Sequence, residues 1–163
     1  MWKVKSSKIH GHGVFATQNI KKNQKIIQYI GEKVTRSEGN KRSEKRIKKF
    51  LNSNRTGSVY IFELNRHYDI DGSPLYNKAR YINHSCNPNC EVDIKNGEIW
   101  ISSIKNIKKG SELFYDYGYS FDKQDYKDHI CKCGSKNCIG YIISSDDWKK
   151  FLNHIKKIIK KNN

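Results

Sequence analysis

Only two prolines, one methionine and five leucines occur in the 163 residues, and acidic side chains are half as common as basic ones, 16 Asp and Glu against 32 Lys and Arg. No apolar run approaches the roughly 20 residues that a membrane helix needs. The opening Met1-Trp2-Lys3-Val4-Lys5 also lacks the apolar stretch of a secretory leader. Internal repeats and low-complexity linkers are missing as well. These absences argue against membrane-spanning, secreted and repeat classes. What is present is 36% hydrophobic and 29% charged, with a mean hydropathy of −0.87. That balance is too apolar for wholesale disorder, and a chain of this size buries about 70% of its unfolded surface. One soluble, intracellular globular domain is expected, and a monomer.

The net charge of +16 is unevenly placed. Residues 33–55 hold nine basic side chains against Glu38 and Glu44, and residues 149–163 hold six lysines and no acid. The remaining chain is nearly balanced. Such patches attract nucleic acid or anionic lipid. A compositional bias is the competing explanation, since lysine outnumbers arginine 26 to 6 and isoleucine outnumbers leucine 21 to 5.

Short β-type runs recur at 14–16, 25–30, 59–64, 68–70, 91–94, 98–102 and 112–115. Lys95-Asn96-Gly97 between two of them predicts a hairpin, because Asn-Gly supplies the positive φ angles of a tight turn. Helical periodicity is confined to about 36–52, with Ile47, Phe50 and Leu51 on one face, and to the C-terminus. There Ser145 is the expected N-cap, Asp146 and Asp147 suit the positive end of the helix dipole, and Trp148, Phe151, Leu152, Ile155, Ile158 and Ile159 form a stripe. Many short strands and few helices predict a mainly β fold.

The five cysteines are Cys86, Cys90, Cys131, Cys133 and Cys138. The last three lie within eight residues, a spacing that a shared Zn²⁺ explains better than a disulfide framework. A structural zinc takes four ligands, so either Cys86 or Cys90 completes the set.

Five segments in order carry a resemblance: Gly11-His12-Gly13-Val14-Phe15-Ala16, Tyr29-Ile30-Gly31-Glu32, Arg80-Tyr81-Ile82-Asn83-His84-Ser85-Cys86-Asn87-Pro88-Asn89-Cys90, Gly110 to Gly118 around Tyr115-Asp116-Tyr117, and Cys131 to Cys138 continuing to Tyr141. Together they resemble the SET-domain protein-lysine methyltransferases with a post-SET zinc segment, over about residues 6–143. The resemblance implies several small curved sheets with a pseudoknot-like threading near Asn83; the periodicity adds one short inserted helix and a C-terminal helix that lies outside the resemblance. The expected division is a SET domain at 1–128 with a basic helical insertion at about 36–52, a zinc-binding lid at 129–143, and, beyond the resemblance, a basic amphipathic helix at 144–163.

It also implies a chemistry. A lysine amine would attack the methyl of S-adenosyl-L-methionine in line, which requires alignment and a neutral amine. Lysine has a pKa of about 10.4 in water, so a dry aromatic channel favours the reactive form. By resemblance Tyr117 takes the central catalytic position, Tyr115 the neighbouring site where Tyr or Phe sets how many methyls fit, and Tyr60 the channel lining. Gly11, His12, Gly13, Tyr29, Asn83, His84 and Lys132 fall on cofactor-binding positions, with His84 serving the cofactor rather than acting as general base. One structural Zn²⁺ would be held by Cys86, Cys131, Cys133 and Cys138, leaving Cys90 free. Tyr29, Tyr60 and Tyr115 taken singly would also suit a β core. Two departures from the family pattern are His12, where many members carry tryptophan, and the lack of a cysteine-rich segment before Gly11.

The expected activity is monomethylation of a lysine in a histone or another basic, nucleic-acid-associated protein, in the nucleus or on chromatin of the source or of a host cell, with cytoplasm as the alternative. DNA or nucleosome contact is expected through 33–55 and 149–163. The competing readings are a catalytically silent SET-like module that binds chromatin or nucleic acid, and a simple zinc-knuckle binder, which leaves the Asn-His and Tyr-Asp-Tyr segments unexplained.

Overall fold

The computed structural model describes residues 1–51 and 59–162. In chain order its elements are β1 (Trp2–Ser6), β2 (His12–Ala16), β3 (Lys25–Tyr29), β4 (Glu32–Thr35), α1 (Arg36–Leu51), β5 (Ile61–Glu63), β6 (Tyr68–Asp71), β7 (Asn83–His84), β8 (Cys90–Lys95), β9 (Glu98–Ser103), β10 (Phe114–Tyr115) and α2 (Trp148–Asn162). The strands form four small sheets: β1-β2, β3-β9-β8, β4-β6-β5, and the parallel pair β7-β10. The mainly β expectation is met. The Asn96-Gly97 hairpin is present too: β8 and β9 pair with Lys95 opposite Glu98, and Asn96 and Gly97 take φ of 53° and 78°.

Strands β1, β4 and β7 fall outside the runs read from the sequence, and β1 carries the plainest signal. Its signal is the alternation in Trp2-Lys3-Val4-Lys5, where Trp2 and Val4 pack on the core while both lysines face outward. The core itself gathers one face of several sheets, with Val14, Ile20, Ile82, Ile99, Ile101 and Leu113 nearly or wholly removed from water. Each such side chain contributes roughly 1.5–3 kcal/mol.

Helix α1 begins where Thr35 Oγ1 accepts a hydrogen bond from the Glu38 amide, an N-cap with acid in the first turn. Of its expected apolar face only Ile47 can be placed. Ile47 is exposed, the side chains of Phe50 and Leu51 lie outside the described residues, and so does residue 52. The inward face is Arg36, Gly39, Arg42 and Arg46, and it meets buried acids on β6. The outward face carries Lys41, Lys45, Lys48 and Lys49.

The C-terminal helix follows a short 3₁₀ turn at Ser145–Asp147. Its cap is Ser144, whose hydroxyl accepts from the Asp146 amide, one residue earlier than expected because the extra turn precedes the α-helix. Only part of the stripe is used. Phe151 is buried, and Trp148 and Ile155 pack beside it against Phe121, Tyr126, Tyr141 and Ile143. Leu152, Ile158 and Ile159 are exposed. No helix among the described residues is long and apolar enough to cross a membrane.

Candidate active site

The parallel pairing of β7 with β10 sets Asn83 beside Phe114 and His84 beside Tyr115. Two motifs about 30 residues apart in sequence thereby become one surface. Asn89 holds the join: its Oδ1 accepts from the Phe114 amide at 2.8 Å and its Nδ2 donates to the Glu112 carbonyl at 2.8 Å. Asp116 continues it, accepting from the amides of Gly118 and Ser145. The stretch carrying Tyr117 is therefore fixed at both ends.

An aromatic chain lines this region. Tyr115 and Tyr117 have ring centroids 5.0 Å apart, Tyr117 and Tyr119 5.9 Å, Phe62 and Tyr115 6.3 Å, and Tyr29 and Phe62 5.2 Å. Tyr117 Oη donates to the Ile82 carbonyl at 3.1 Å. With its proton so committed, the phenol oxygen presents lone pairs, the polarity suited to an amine N–H. Burial pushes the phenols of Tyr115, Tyr117 and Tyr29 well above their ordinary value, so all three stay neutral. Tyr29 Oη donates to the Tyr60 carbonyl at 2.9 Å, and the Arg80 guanidinium lies 3.9 Å above the Tyr60 ring.

The proposed cofactor residues separate into two groups. Asn83 donates both Nδ2 hydrogens, to the His12 carbonyl at 3.0 Å and to Glu112 Oε1 at 2.9 Å, so its Oδ1 is what it offers a ligand. Gly13 lies directly against the same carboxylate, where an added Cβ would come within 2.1 Å of Glu112 Oε1. Glu112 also accepts from Ser7 Oγ at 3.1 Å. It is the residue that the motif reading passed over, although it sits inside the Gly110–Gly118 segment. The His12 ring packs on Tyr81 at 5.5 Å. Lys132, by contrast, stands exposed on the cysteine segment, apart from these contacts.

His84 is buried, and burial lowers its pKa, opposed by nearby Asp116. Its Nδ1 accepts from the Tyr117 amide at 3.2 Å, which places the ring proton on Nε2, 3.7 Å from Cys86 Sγ. Both ring nitrogens are thus engaged within the site.

The sulfurs of Cys86, Cys131, Cys133 and Cys138 lie within 4.8 Å of one another, and Cys86 is 3.8 Å from both Cys131 and Cys138. Zinc–thiolate bonds of about 2.3 Å in a tetrahedron give sulfur–sulfur edges of about 3.8 Å. The donor set fits a structural zinc. The Ser135 hydroxyl, 3.1 Å away, and backbone hydrogen bonds outweigh burial and hold the Cys133 thiol at about 6, whereas burial pushes Cys86 up to about 11. Asn137 Nδ2 donates to the Cys86 carbonyl at 3.1 Å, tying the 131–138 loop to the site wall. Cys90 lies outside the cluster, buried with its thiol facing Asn89 Oδ1.

Comparison with known proteins agrees with this geometry. Residues 11–118 match the SET domain family. Over 148 residues the chain is 37% identical to histone-lysine N-methyltransferase set-2 of Caenorhabditis elegans, covering 87% of this chain and 9% of that protein. It is 40% identical over 136 residues to histone-lysine N-methyltransferase trr of Drosophila melanogaster, covering 81% of this chain and 5% of the relative. With the H3 lysine-4 specific histone-lysine N-methyltransferase of Saccharomyces cerevisiae it shares 36% over 140 residues, covering 83% and 12%. The chain belongs to the SET-domain family, and it spans a small fraction of the length of these curated relatives.

Proposed function

We propose that the protein is a protein-lysine N-methyltransferase that uses S-adenosyl-L-methionine, with a histone as the preferred acceptor. The observation that carries this reading is the Tyr117 oxygen: its proton is directed to Ile82, its lone pairs are available, and its ring packs between Tyr115 and His84. The donor supplies an activated methyl on a sulfonium. The N–C bond forms as the C–S bond breaks, S-adenosylhomocysteine leaves, and the amine's surplus proton passes to water. Tyr117 orients the acceptor nitrogen, Tyr115 and Tyr60 line the channel and exclude water, and a dry channel favours the neutral amine.

On the donor side, Asn83 Oδ1 receives the amino group of the methionine moiety, and the backbone at Gly11–Gly13 approaches closely because glycine lacks a side chain. His84 and Tyr29 frame the donor, and Lys132 reaches it from the lid. Zn²⁺ on Cys86, Cys131, Cys133 and Cys138 staples residues 129–143 into that lid. Residues 1–128 act as the catalytic body, and the lysine faces of α1 and α2 meet the polyanion that accompanies a histone, in the nucleus. The nearest competing reading, a silent SET-like module, is disfavoured because Tyr117, Asn83 and the Gly11–Gly13 segment are all intact.

The test is transfer of label from methyl-labelled S-adenosylmethionine to core histones. Incorporation that depends on Tyr117 is expected. Donor binding without any transfer to histones or other basic proteins would favour the silent module.

A further inference from the structure

The inserted helix α1 is seated on the sheet by charge, among the described residues without an apolar contact face. Gly39 brings its backbone onto Asp69, where a Cβ would stand 2.3 Å from Asp69 Oδ2. Arg36 Nη1 lies 3.2 Å from Asp69 and 2.7 Å from Glu63. Arg42 pairs with Glu32 at 2.6 Å, Glu38 at 2.8 Å and Asp71 at 2.9 Å. Arg46 Nη2 reaches both Asp71 oxygens, at 3.0 and 2.8 Å, and Ser73 Oγ at 2.8 Å. Asp69 and Asp71 are almost wholly removed from water, so each needs a partner to remain charged.

From Asp71 the contacts run directly into the tyrosine wall. The Gly72 amide donates to the Tyr60 carbonyl at 2.8 Å, the same carbonyl that receives Tyr29 Oη. An added Cβ on Gly72 would lie 2.3–2.4 Å from the Tyr29 phenol. Ser73 faces both ways: its hydroxyl receives Arg46, and its carbonyl receives Arg80 Nη1, whose guanidinium covers the Tyr60 ring. Arg46 also keeps a buried Nη1 without a hydrogen-bond partner among the described residues. Its side chain is therefore held through Nη2, on Asp71 and Ser73, rather than by general satisfaction of its donors.

We propose that Arg46 and Asp71 are positioning residues: through the segment Asp71-Gly72-Ser73, the ionic seat of α1 holds Tyr60 in place as the wall of the lysine channel. The proposal rests on the methyltransferase reading for its kinetic arm only. Loosening the seat moves the acceptor side of the site. Of the donor-side residues, Gly13, Asn83 and Glu112 lie away from these contacts, whereas Tyr29 shares the Tyr60 carbonyl with the Gly72 amide and feels the loosening too.

The experiment compares wild type with Arg46→Gln, Arg46→Lys and Ser73→Ala in two assays. The first is hydrogen exchange at the Gly72 amide, which reads the link to Tyr60 whatever the enzyme does. The second is methyl transfer, with KM for the acceptor protein, kcat and donor Kd determined separately. Arg46→Gln is expected to speed Gly72 exchange and raise acceptor KM about tenfold or more, the scale of one lost charge-assisted hydrogen bond, with a smaller change in donor Kd transmitted through Tyr29. Arg46→Lys, which keeps a charged single-nitrogen donor on a shorter side chain, should recover part of the effect, and Ser73→Ala should show a smaller one. If Arg46→Gln does not fold, the other two variants decide. Unchanged Gly72 exchange in folded variants would overturn the proposal, as would a loss confined to donor Kd. Inactivity of the wild type would instead count against the methyltransferase reading, leaving the exchange result to judge the seat.

Discussion

Replacing Tyr117 by phenylalanine removes one oxygen and leaves the ring that packs between Tyr115 and His84. Two effects of different size should follow. The structural effect is loss of the 3.1 Å hydrogen bond to the Ile82 carbonyl, which costs about 1 kcal/mol with an upper range near 3 when the acceptor is left unsatisfied. For a chain of this size about 1 kcal/mol lowers Tm by roughly 2–4 °C. The catalytic effect is loss of the acceptor that aligns the amine. Removing one preorganised polar group at a reacting centre commonly costs about 10²–10³ in rate, or roughly 2.7–4 kcal/mol. The two assays are thermal denaturation and single-turnover methyl transfer, and the transfer rate of Tyr117→Phe should fall by about 10²-fold or more while the variant stays folded. Donor affinity should change little, because Asn83 and Gly13 do not touch the phenol. Near-wild-type turnover in a folded variant would refute the reasoning.

Elemental analysis should find one zinc per chain, lost in Cys138→Ser and retained in Cys90→Ala. Chelation should weaken activity before the β core melts, because Cys86 reaches the Tyr117 amide only through His84. Tyr115→Phe should shift the product from monomethyl- toward dimethyl-lysine by mass spectrometry, and a wild type that yields chiefly trimethyl-lysine would contradict this. Burial alone would raise the Asp71 pKa, but hydrogen bonds from Arg46, Arg42 and Ser73 outweigh it and hold the carboxyl well below the usual range. Its folded pKa lies under the unfolded value of about 3.9, so its stabilisation is complete above that pH and is lost as pH falls through the folded value. Urea titrations between neutral pH and pH 2 (about the acid limit of the assay) should show this loss, and Asp71→Asn should flatten it. Reversing charge at Lys156, Lys157, Lys160 and Lys161 should weaken DNA binding and reduce its salt dependence; unaltered binding at low salt would assign the lysines to composition alone.

The motifs were legible because they are local: Asn83, His84 and Cys86 lie in one run, and Tyr115 and Tyr117 in another. The Asn96-Gly97 turn was equally plain, since its backbone angles depend on two adjacent residues. What could not be read is what depends on long-range pairing. Glu112 became a site residue only when β2, β7 and the β10 approach converged on Ser7, Gly13 and Asn83. The ionic seat of α1 is hidden in the sequence for a related reason. Periodicity weighs apolar side chains, whereas this helix is seated through Arg36, Arg42 and Arg46 on acids that follow it in sequence. At the C-terminus the stripe was real, but pattern cannot say how far a helix outruns its support. Phe151 is covered and Ile159 is not.

The central claim is chemical, and tandem mass spectrometry of a core-histone reaction containing S-adenosylmethionine tests it most directly. The account predicts that the wild type adds a single methyl to a lysine Nζ and that Tyr117→Phe leaves the same lysine unmodified. A histone that remains unmodified at every lysine under conditions where the protein binds the donor, or a methyl found on another residue type, would contradict it.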